Sequence, residues 1–475
     1  MKTVFVSGAF NVLHPGHNRL LKFAKSLGSK LIVGVVSDRN LDKNIYVNQK
    51  LRLEGIRSNV HVDKAFIIDR SLEKIIQKYK PNIVVKGKEH ELKFNQELES
   101  LDKYGGKLVF SSGDISFSSL DMLGKEFPKP ISSNIKLPDD YIQRHNIVKN
   151  NLKKQLNSFN KLKVCVIGEL IIDEYILCEP IGMSQEDPTL VVTPISNKEF
   201  IGGAGIVAAH SVGLGAKTYF ISIVGNDKLA KKSKLMLNSK GVHSNLITDE
   251  TRPTILKQKF RRNNQSLLKI NHLSNHTISK NIQNEILQKF SDISKKIDIL
   301  IFSDFNYGCL PKKLVDKLIK ICKKNKTLIT ADSQSSSQIG DIAKFHSMNL
   351  ITPTEHEARL STRNNDDGLV VLSEELMKKS KSKNILLKLG ADGLLIHNGK
   401  KQKGSILTDR INSLNSAPTD ISGAGDSMLI ASSLSLAAGA NIWESALIGS
   451  MAASVQVSRL GNIPLKSKEL LELLN

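Results

Sequence analysis

The stretch Asp420–Gly439, "DISGAGDSMLIASSLSLAAG", carries the clearest signal in this sequence of 475 residues. Gly423, Ala424 and Gly425 precede Asp426, and small and apolar residues then continue to the end of the stretch. The pattern predicts a glycine turn that leads into a buried helix. The free N–H groups and the dipole of such a helix start bind anions such as phosphate. Asp426 is placed to take the proton of a hydroxyl that attacks a phosphoryl group, or simply to cap the helix.

A second glycine turn, "FIGGAGIVAAHSVGLGA" at 200–216, also runs into a small-residue helix. Around both turns, predicted strands such as "LKVCVIGELIIDEYI", "DILIFSD" and "TLITADS" alternate with predicted helices. This alternation predicts a doubly wound α/β domain, whose ligands bind at the carboxyl ends of the strands. Residues 174–194 and 254–273 instead alternate in the manner of strands without helices between them. They predict a small antiparallel sheet beside the main one, which could serve as a lid.

A separate α/β pattern opens the chain, where the strand "TVFVSG" is followed by "GAFNVLHPGH" at 8–17. A metal site is disfavoured, because His14 and His17 are three residues apart and no third ligand is near. A turn with two incidental histidines remains the plain alternative. A phosphate site accounts for more residues, because Gly8 permits close approach and a helix that starts near Pro15 points its N–H groups at the same place.

This first stretch resembles the nucleotidyltransferase superfamily that is marked by GxFDxxHxGH. "KLIVGVVSD", "QKLRLEGI", "PNIVVKG" and "ISFSSLDML" follow in the order of that family. The resemblance implies catalytic roles for His14 and His17. It implies a nucleotide-binding set of Gly8, Phe10, Asn11, Arg52, Lys86, Gly87, Ser118 and Ser119. Asn11 stands where the family usually has aspartate, so the resemblance leaves the activity of this site open.

Residues 161–475 resemble the ribokinase-like carbohydrate kinases of the phosphofructokinase-B type, on the two glycine motifs, "ITPTEHEARL" and "KLGADG". The resemblance implies that Asp426 is the base and that Gly423, Ala424 and Gly425 form the anion hole. Glu357 matches the acidic residue that organises Mg²⁺ indirectly, although Thr354 replaces the Asn of NxxE. The implied sugar-binding residues are Asp173, Gly202, Gly203, Arg261 and Asp304, and the implied nucleotide-binding residues are Gly390 and Gly393.

Both halves look most like the family of bifunctional proteins of ADP-heptose synthesis, in the reverse of its usual order. The resemblance implies a sugar kinase and a sugar-1-phosphate nucleotidyltransferase that use ATP and Mg²⁺, act on sugar phosphates and nucleoside triphosphates, and serve lipopolysaccharide or surface polysaccharide synthesis. It also implies a homodimer formed through the kinase domain. Two alternatives remain open: a kinase for another sugar with an altered or inactive transferase domain, and a nucleotide-binding regulator with degraded catalysis.

Composition also indicates which partners and which cell compartment to expect. The net charge of +22 comes from dispersed lysines, without basic blocks or interleaved aromatics, so we expect no nucleic-acid partner. Four separated cysteines indicate a reducing compartment, and neither a signal peptide nor a membrane span is expected, which predicts a cytoplasmic protein. We expect a nucleotidyltransferase domain at 1–126, a linker and lead-in helix at 127–160, and a kinase domain at 161–475.

Overall fold

The computed structural model describes residues 2–11, 13, 15–40, 47–69, 71–87, 97–111, 134–262, 265–335, 338, 340–399 and 407–475. The chain forms two compact units, residues 1–129 and 130–475. Among the described residues, no helix has both the length and the apolar character needed to cross a membrane.

The first unit is built on a parallel sheet of five strands in the order β3-β2-β1-β4-β5. The strands are β1 (Thr3–Gly8), β2 (Lys30–Val36), β3 (Lys64–Ile68), β4 (Ile83–Gly87) and β5 (Lys107–Ser111). The helices are α1 (Pro15–Ser26), α2 (Gln49–Arg57), α3 (Leu72–Tyr79) and α4 (Glu97–Asp102). All five predicted strands are present. Strand order reverses between β1 and β4, and such a switch point is where open α/β sheets bind ligands.

Both faces of this sheet are buried, which explains why its strands read as apolar runs. Val4 and Val6 point into one hydrophobic cluster, whereas Phe5 points into another on the opposite face. Successive side chains of a strand alternate between faces, so the run in β1 serves two cores at once.

The second unit has a central sheet of nine strands in the order β10-β9-β6-β13-β14-β15-β16-β17-β18. These strands are β6 (Lys163–Gly168), β9 (Lys217–Val224), β10 (His243–Thr248), β13 (Ile299–Asp304), β14 (Leu328–Ser333), β15 (Leu350–Ile351), β16 (Asn384–Lys388), β17 (Leu394–Asn398) and β18 (Thr408–Ile411). The pairings are parallel except for β16–β17 and β17–β18. The predicted doubly wound core is therefore confirmed, although the edge strands β10 and β18 escaped prediction.

The second unit has eleven described helices, of which the first two form the segment that leads into the sheet. They are α5 (Asp139–Arg144), α6 (Lys149–Ser158), α7 (Ala204–Gly213), α8 (Lys228–Ser239), α9 (Lys280–Ser294), α10 (Lys312–Asn325), α11 (Glu355–Thr362), α12 (Leu369–Ser380), α13 (Ala424–Ala437), α14 (Ile442–Val457) and α15 (Ser467–Glu472). The small-residue helices α7, α13 and α14 pack in one buried cluster, because small side chains let helix backbones approach closely.

The predicted small sheet, which we call the lid, is a separate four-stranded sheet in the order β12-β11-β7-β8. Its strands are β7 (Leu170–Met183), β8 (Leu190–Gly203), β11 (Ile255–Arg262) and β12 (Gln265–His272). Two pairs are antiparallel hairpins, but β11 and β7 pair in parallel, so the expectation of a wholly antiparallel sheet was wrong at this point. The reason is that β9 and β10 of the central sheet intervene between the two hairpins in sequence, which lets the second hairpin join in either direction.

The lead-in segment also differs from its prediction, because two helices, α5 and α6, replace the single helix expected over 139–158. The break falls at Asn146, whose positive φ of 52° cannot continue a helix. Tyr141 of α5 donates a hydrogen bond to the carbonyl of Trp443, 3.0 Å away, and Leu152 and Leu156 of α6 are buried. The segment therefore packs as part of the second unit.

Candidate active sites

The first site of the second unit lies at the start of α13. Gly423 adopts a positive φ of 78°, which a residue with a Cβ rarely tolerates, and the first N–H groups of the helix follow it. Asp426 is 6% exposed, and its Oδ1 has no hydrogen-bond partner among the described residues. Burial, reinforced by the nearby Asp332 carboxylate, raises the pKa of Asp426 to about 7. A buried, unsatisfied carboxylate oxygen at the first turn of a helix is typical of a ligand site.

Lys388 stands beside this helix start and escaped the sequence analysis. Its Nζ lies 2.9 Å from both carboxylate oxygens of Asp332 and 3.2 Å from the point where a side chain on Gly425 would begin. Lys388 ends β16 and Asp332 lies near the end of β14, so the parallel sheet brings them to one edge. The sequence signal that could have identified this pair is the charged residue at or near the end of each predicted strand, in "LLK" and "TAD".

Glu357 lies near this pair and also holds local structure. Its Oε2 accepts the N–H of Thr354 at 2.7 Å, and its Oε1 accepts that of Ser335 at 3.2 Å. The hydroxyl of Thr354 accepts the N–H of Glu357 in return, which completes a capping box at the start of α11. The threonine that replaces the expected asparagine therefore still positions the glutamate.

The predicted sugar-binding residues Asp173 and Gly202 lie next to each other and close to the anion hole. A Cβ on Gly202 would collide with Asp173 Oδ2, and one on Gly423 would collide with Asn462 Oδ1. The Nδ2 of Asn462 donates to Asp173 Oδ2 at 3.0 Å. Burial raises the pKa of Asp173. Asn462 therefore connects Asp173, a predicted sugar-binding residue, to Gly423 of the predicted anion hole. No sequence motif had indicated this residue.

Gly203 opens α7 with a φ of 60° beside Gly202, as predicted for the second glycine turn. Asp304 differs from Asp173, the other predicted sugar-binding carboxylate, because its carboxylate pairs with a lysine and a serine of the protein. Its Oδ2 is 2.6 Å from Lys344 Nζ and accepts a hydrogen bond from Ser333 at 2.7 Å. A contact between Asp304 and substrate stays a prediction.

Gly390 and Gly393, the predicted nucleotide-binding pair, line a groove that reaches the anion hole. Ala424, Gly425 and Lys388 also line this groove, and the rest of the lining combines Asn412 and three serines with apolar side chains: Leu394, Leu414, Met428, Ala453 and Val457. A groove that combines apolar walls with a lysine and a helix start fits a nucleoside with its phosphates.

Arg261 lies on the lid strand β11 and is 8% exposed. Its Nη1 is 3.7 Å from Asp420 Oδ2, and its guanidinium lies 5.2 Å from the centre of the Tyr175 ring. It therefore approaches the segment just before the anion hole, and its contact with a substrate phosphate stays a prediction.

In the first unit, Gly8 and Gly87 end the neighbouring strands β1 and β4 at the switch point of the sheet. Phe10 adopts a positive φ of 47°, and its ring lies 5.1 Å from that of His17 in the first turns of α1. Lys86 forms an ion pair of 2.7 Å with Glu97. The structure thus gathers these predicted residues at one end of the sheet.

Arg52 fixes the loop that carries Asn11. Its guanidinium donates to the carbonyls of Val47 (2.9 Å) and Ala9, and to Asp38 Oδ1 at 2.5 Å, while the amide oxygen of Asn11 accepts the N–H of Val47 at 3.2 Å. The hydrogen bond from Arg52 lowers the pKa of Asp38. Arg52 thus acts on the site through the backbone, and its contact with a nucleotide stays a prediction. His14, Ser118 and Ser119 lie outside the described residues.

Comparison with known families agrees with the division into two domains. Residues 161–468 match the pfkB family of carbohydrate kinases, and residues 5–135 match the cytidylyltransferase-like family. Because the first match covers more than half of the chain, the chain belongs to the pfkB family of carbohydrate kinases, with a cytidylyltransferase-like domain at its N-terminus.

Among individual proteins, the chain is similar to "Bifunctional protein HldE" of Sulfurimonas denitrificans, with 29% identity over 323 residues, which cover 67% of this chain and 65% of that protein. It is also similar to the protein of the same name from Helicobacter hepaticus, with 29% identity over 320 residues, 65% of this chain and 63% of that one. The chain thus spans slightly less than two thirds of the length of these relatives.

Solved structures share the fold of the second unit. Ribokinase from Arabidopsis thaliana, complexed with ribose and ATP, matches 66% of this chain and 98% of its own, with a TM-score of 0.52 and 20% identity. Phosphofructokinase-2 from Escherichia coli, in complex with potassium, matches 66% and 98% with a TM-score of 0.54 and 15% identity. These likenesses establish the ribokinase-like fold.

The buried pair of Lys388 and Asp332 predicts a large stability effect. Lys388→Met leaves the Asp332 carboxylate buried without its counter-ion, so we expect the free energy of unfolding to fall by about 3–5 kcal/mol. Adding Asp332→Leu should recover most of this loss, because an apolar pair needs no counter-ion. Chemical denaturation measures both variants. Lys468→Met, which breaks an exposed pair with Glu472, serves as the control and should change little. A loss below about 1 kcal/mol for Lys388→Met would contradict the assignment.

Proposed function

We propose that residues 130–475 phosphorylate a hydroxyl of a sugar with ATP, and that residues 1–129 transfer a nucleotide to a sugar 1-phosphate. The observation that carries the first half is the buried Oδ1 of Asp426, which has no hydrogen-bond partner in the described part of the chain and lies beside the glycine turn of α13. Membership of the pfkB family supports the same reaction class.

In the kinase reaction, Asp426 accepts the proton of the sugar hydroxyl while the hydroxyl oxygen attacks the γ-phosphorus of ATP and ADP leaves. The N–H groups that follow Gly423 stabilise the charge on the transferred phosphoryl group. Asp173 is positioned to accept hydrogen bonds from other hydroxyls of the sugar, because Asn462 fixes its second oxygen.

Mg²⁺ fits this site as a partner of the ATP phosphates rather than as a resident ion. Among the described residues, no three His, Cys, Asp or Glu side chains gather closely enough to hold a metal. Asp332 pairs with Lys388, and Glu357 uses both oxygens to cap local backbone. When bound, Mg²⁺ neutralises phosphate charge, and Glu357 would reach it through water, as is common for this ion.

In the first unit, His17 at the start of α1 and the backbone beyond Gly8 stabilise charge on the α-phosphate while the sugar phosphate displaces pyrophosphate. Asn11 retains the acceptor that an aspartate would supply, since its amide oxygen binds the N–H of Val47. The loop is therefore held in place without the carboxylate, and we infer that the site is active.

The two reactions form a sequence, because a kinase that acts at the anomeric hydroxyl makes the substrate of the transferase. The bifunctional HldE relatives favour a heptose phosphate as the sugar and an ADP-heptose-like product for lipopolysaccharide or surface polysaccharide. The use of ATP favours action in the cytoplasm. The loss of the carboxylate at position 11 is the observation behind one alternative, an active kinase joined to a silent transferase domain.

The pH dependence of the kinase tests the role of Asp426. A base must be ionised to work, so kcat/KM should fall as pH drops below about 7, the pKa to which burial raises Asp426. Asp426→Asn should lower kcat by at least ~10²-fold. Asp392→Asn, at an exposed position near the groove, is the control and should retain activity. Normal turnover by Asp426→Asn in an ADP-release assay would exclude this mechanism.

Pyrophosphate release tests the transferase half, with a sugar 1-phosphate and each nucleoside triphosphate in the presence of Mg²⁺. We expect release by the natural sequence, a loss of roughly 10²–10³-fold for His17→Ala, and no loss for His61→Ala in the same unit. Asn11→Asp should leave the rate within a few fold. If only Asn11→Asp releases pyrophosphate, the natural domain is silent and the alternative holds.

The lid supports a homodimer of the kinase unit, because it exposes a group of large apolar side chains: Leu177, Ile181, Met183, Leu190, Val191, Ile195, Leu268 and Ile270. Exposed apolar surface of this extent marks interaction sites.

Sedimentation equilibrium tests this proposal. Ile181→Asp combined with Ile195→Asp should convert a dimer into a monomer, because the added charges would be buried at the interface. Val60→Asp, at an even more exposed apolar residue of the first unit, should leave the dimer intact. A natural protein that sediments as a monomer would refute the dimer.

A further inference from the structure

We propose that Tyr175 is a positioning residue of the kinase site, whose hydroxyl ties the lid to the anion-hole loop, which we define as Thr419–Gly425. The lid and the anion hole then adopt their working positions together. The proposal concerns the machinery of the proposed kinase reaction and rests on that function for its activity readout alone.

One side of the anion-hole loop is anchored to the end of α14. The N–H groups of Thr419 and Asp420 donate to the carbonyl of Val457 at 2.7 and 3.2 Å. The fully buried Gln456 donates through Nε2 to the carbonyls of Ser422 at 3.3 Å and Gly461 at 3.0 Å. These bonds connect the loop to the helical core and leave the side chains of Asp420 and Ser422 for other partners.

The Asp420 carboxylate also accepts the N–H groups of Ser422 at 3.1 Å and Gly461 at 3.0 Å, and the lid supplies the remaining partners. The hydroxyl of Tyr175, on β7, lies 3.0 Å from Asp420 Oδ2 and 3.2 Å from Ser422 Oγ. Lys259, on the neighbouring strand β11, donates to the Tyr175 hydroxyl at 2.9 Å and to Ser422 Oγ at 3.1 Å. Arg261 adds its charge 3.7 Å from Asp420. The lid therefore holds the loop by a hydrogen-bond network in which Tyr175 is the central member.

The chemistry of Tyr175 suits this task. Its single proton goes best to Asp420, because a carboxylate is a stronger acceptor than a hydroxyl. Burial raises the pKa of Tyr175, so the proton is retained at neutral pH. The ring is 6% exposed and lies 5.1 Å from the ring of Phe200 on β8, which fixes the direction of the hydroxyl.

Tyr175 also lies two residues after Asp173 on the same strand, so both side chains project from one face of the lid. A sugar held by Asp173 therefore acts on the same strand that holds the anion-hole loop. The arrangement couples sugar binding to completion of the anion hole, which favours transfer to sugar over transfer to water.

Tyr175→Phe removes the hydroxyl and keeps the ring. In the natural protein and the variant, hydrogen exchange over 419–425 should differ by roughly tenfold or more, with faster exchange in the variant, because a hydrogen bond to a charged group is lost. With sugar and ATP, kcat should fall about tenfold or more while KM for the sugar stays within threefold, and the share of ATP lost to water should rise. Tyr141→Phe is the matched control, since it loses one buried tyrosine hydrogen bond elsewhere in the unit.

Unchanged exchange over 419–425 in Tyr175→Phe overturns the proposal, whatever the activity. Equal kcat losses in Tyr175→Phe and Tyr141→Phe also overturn it, because the effect would then be one of general stability. If the natural protein phosphorylates no sugar, the proposed function fails, and the exchange comparison still decides the role of Tyr175.

Discussion

A carboxylate that is buried without a partner is the constraint around which the second unit is arranged. Asp426 loses its hydration at the start of α13, and its Oδ1 gains no hydrogen bond from the described residues in return. Such a group costs free energy unless a ligand or a proton completes it. The large apolar core offsets this cost. Lys388 lies nearby, and its positive charge reduces the repulsion between the carboxylates of Asp332 and Asp426.

The remaining parts of the site follow from how the chain reaches that edge. Parallel strands deliver Asp332 and Lys388 from segments 56 residues apart, and the lid delivers Asp173 and Tyr175 on one strand. Asn462, after α14, then contacts Asp173 directly and abuts Gly423. The proposed base, anion hole, sugar-binding carboxylate and nucleotide groove thus meet although no single segment of the chain contains them all.

This geometry explains what the sequence could predict. Periodicity located all five strands of the first sheet and seven of the nine strands of the central sheet in the second unit, and the glycine motifs located the turns before α7 and α13, because those signals are local. Lys388 and Asn462 went unnoticed because their roles depend on neighbours that only the sheet order brings together. The parallel pairing of β7 with β11 and the break at Asn146 also depend on tertiary packing. At position 11 the sequence has asparagine where the resembling family has aspartate, so the negative charge is lost. The structure shows that the asparagine still accepts a hydrogen bond, from the N–H of Val47.

The proposed kinase reaction depends on one property of Asp426: it binds a proton near neutral pH, because it is buried and its Oδ1 has no hydrogen-bond partner among the described residues. The most direct measurement is a carbon-13 NMR titration of the aspartate carboxyl groups in the full chain, with the Asp426 signal assigned by its absence in Asp426→Asn. We expect this signal to titrate with a pKa of about 7. A midpoint near 4, the ordinary range of an exposed aspartate, would contradict it.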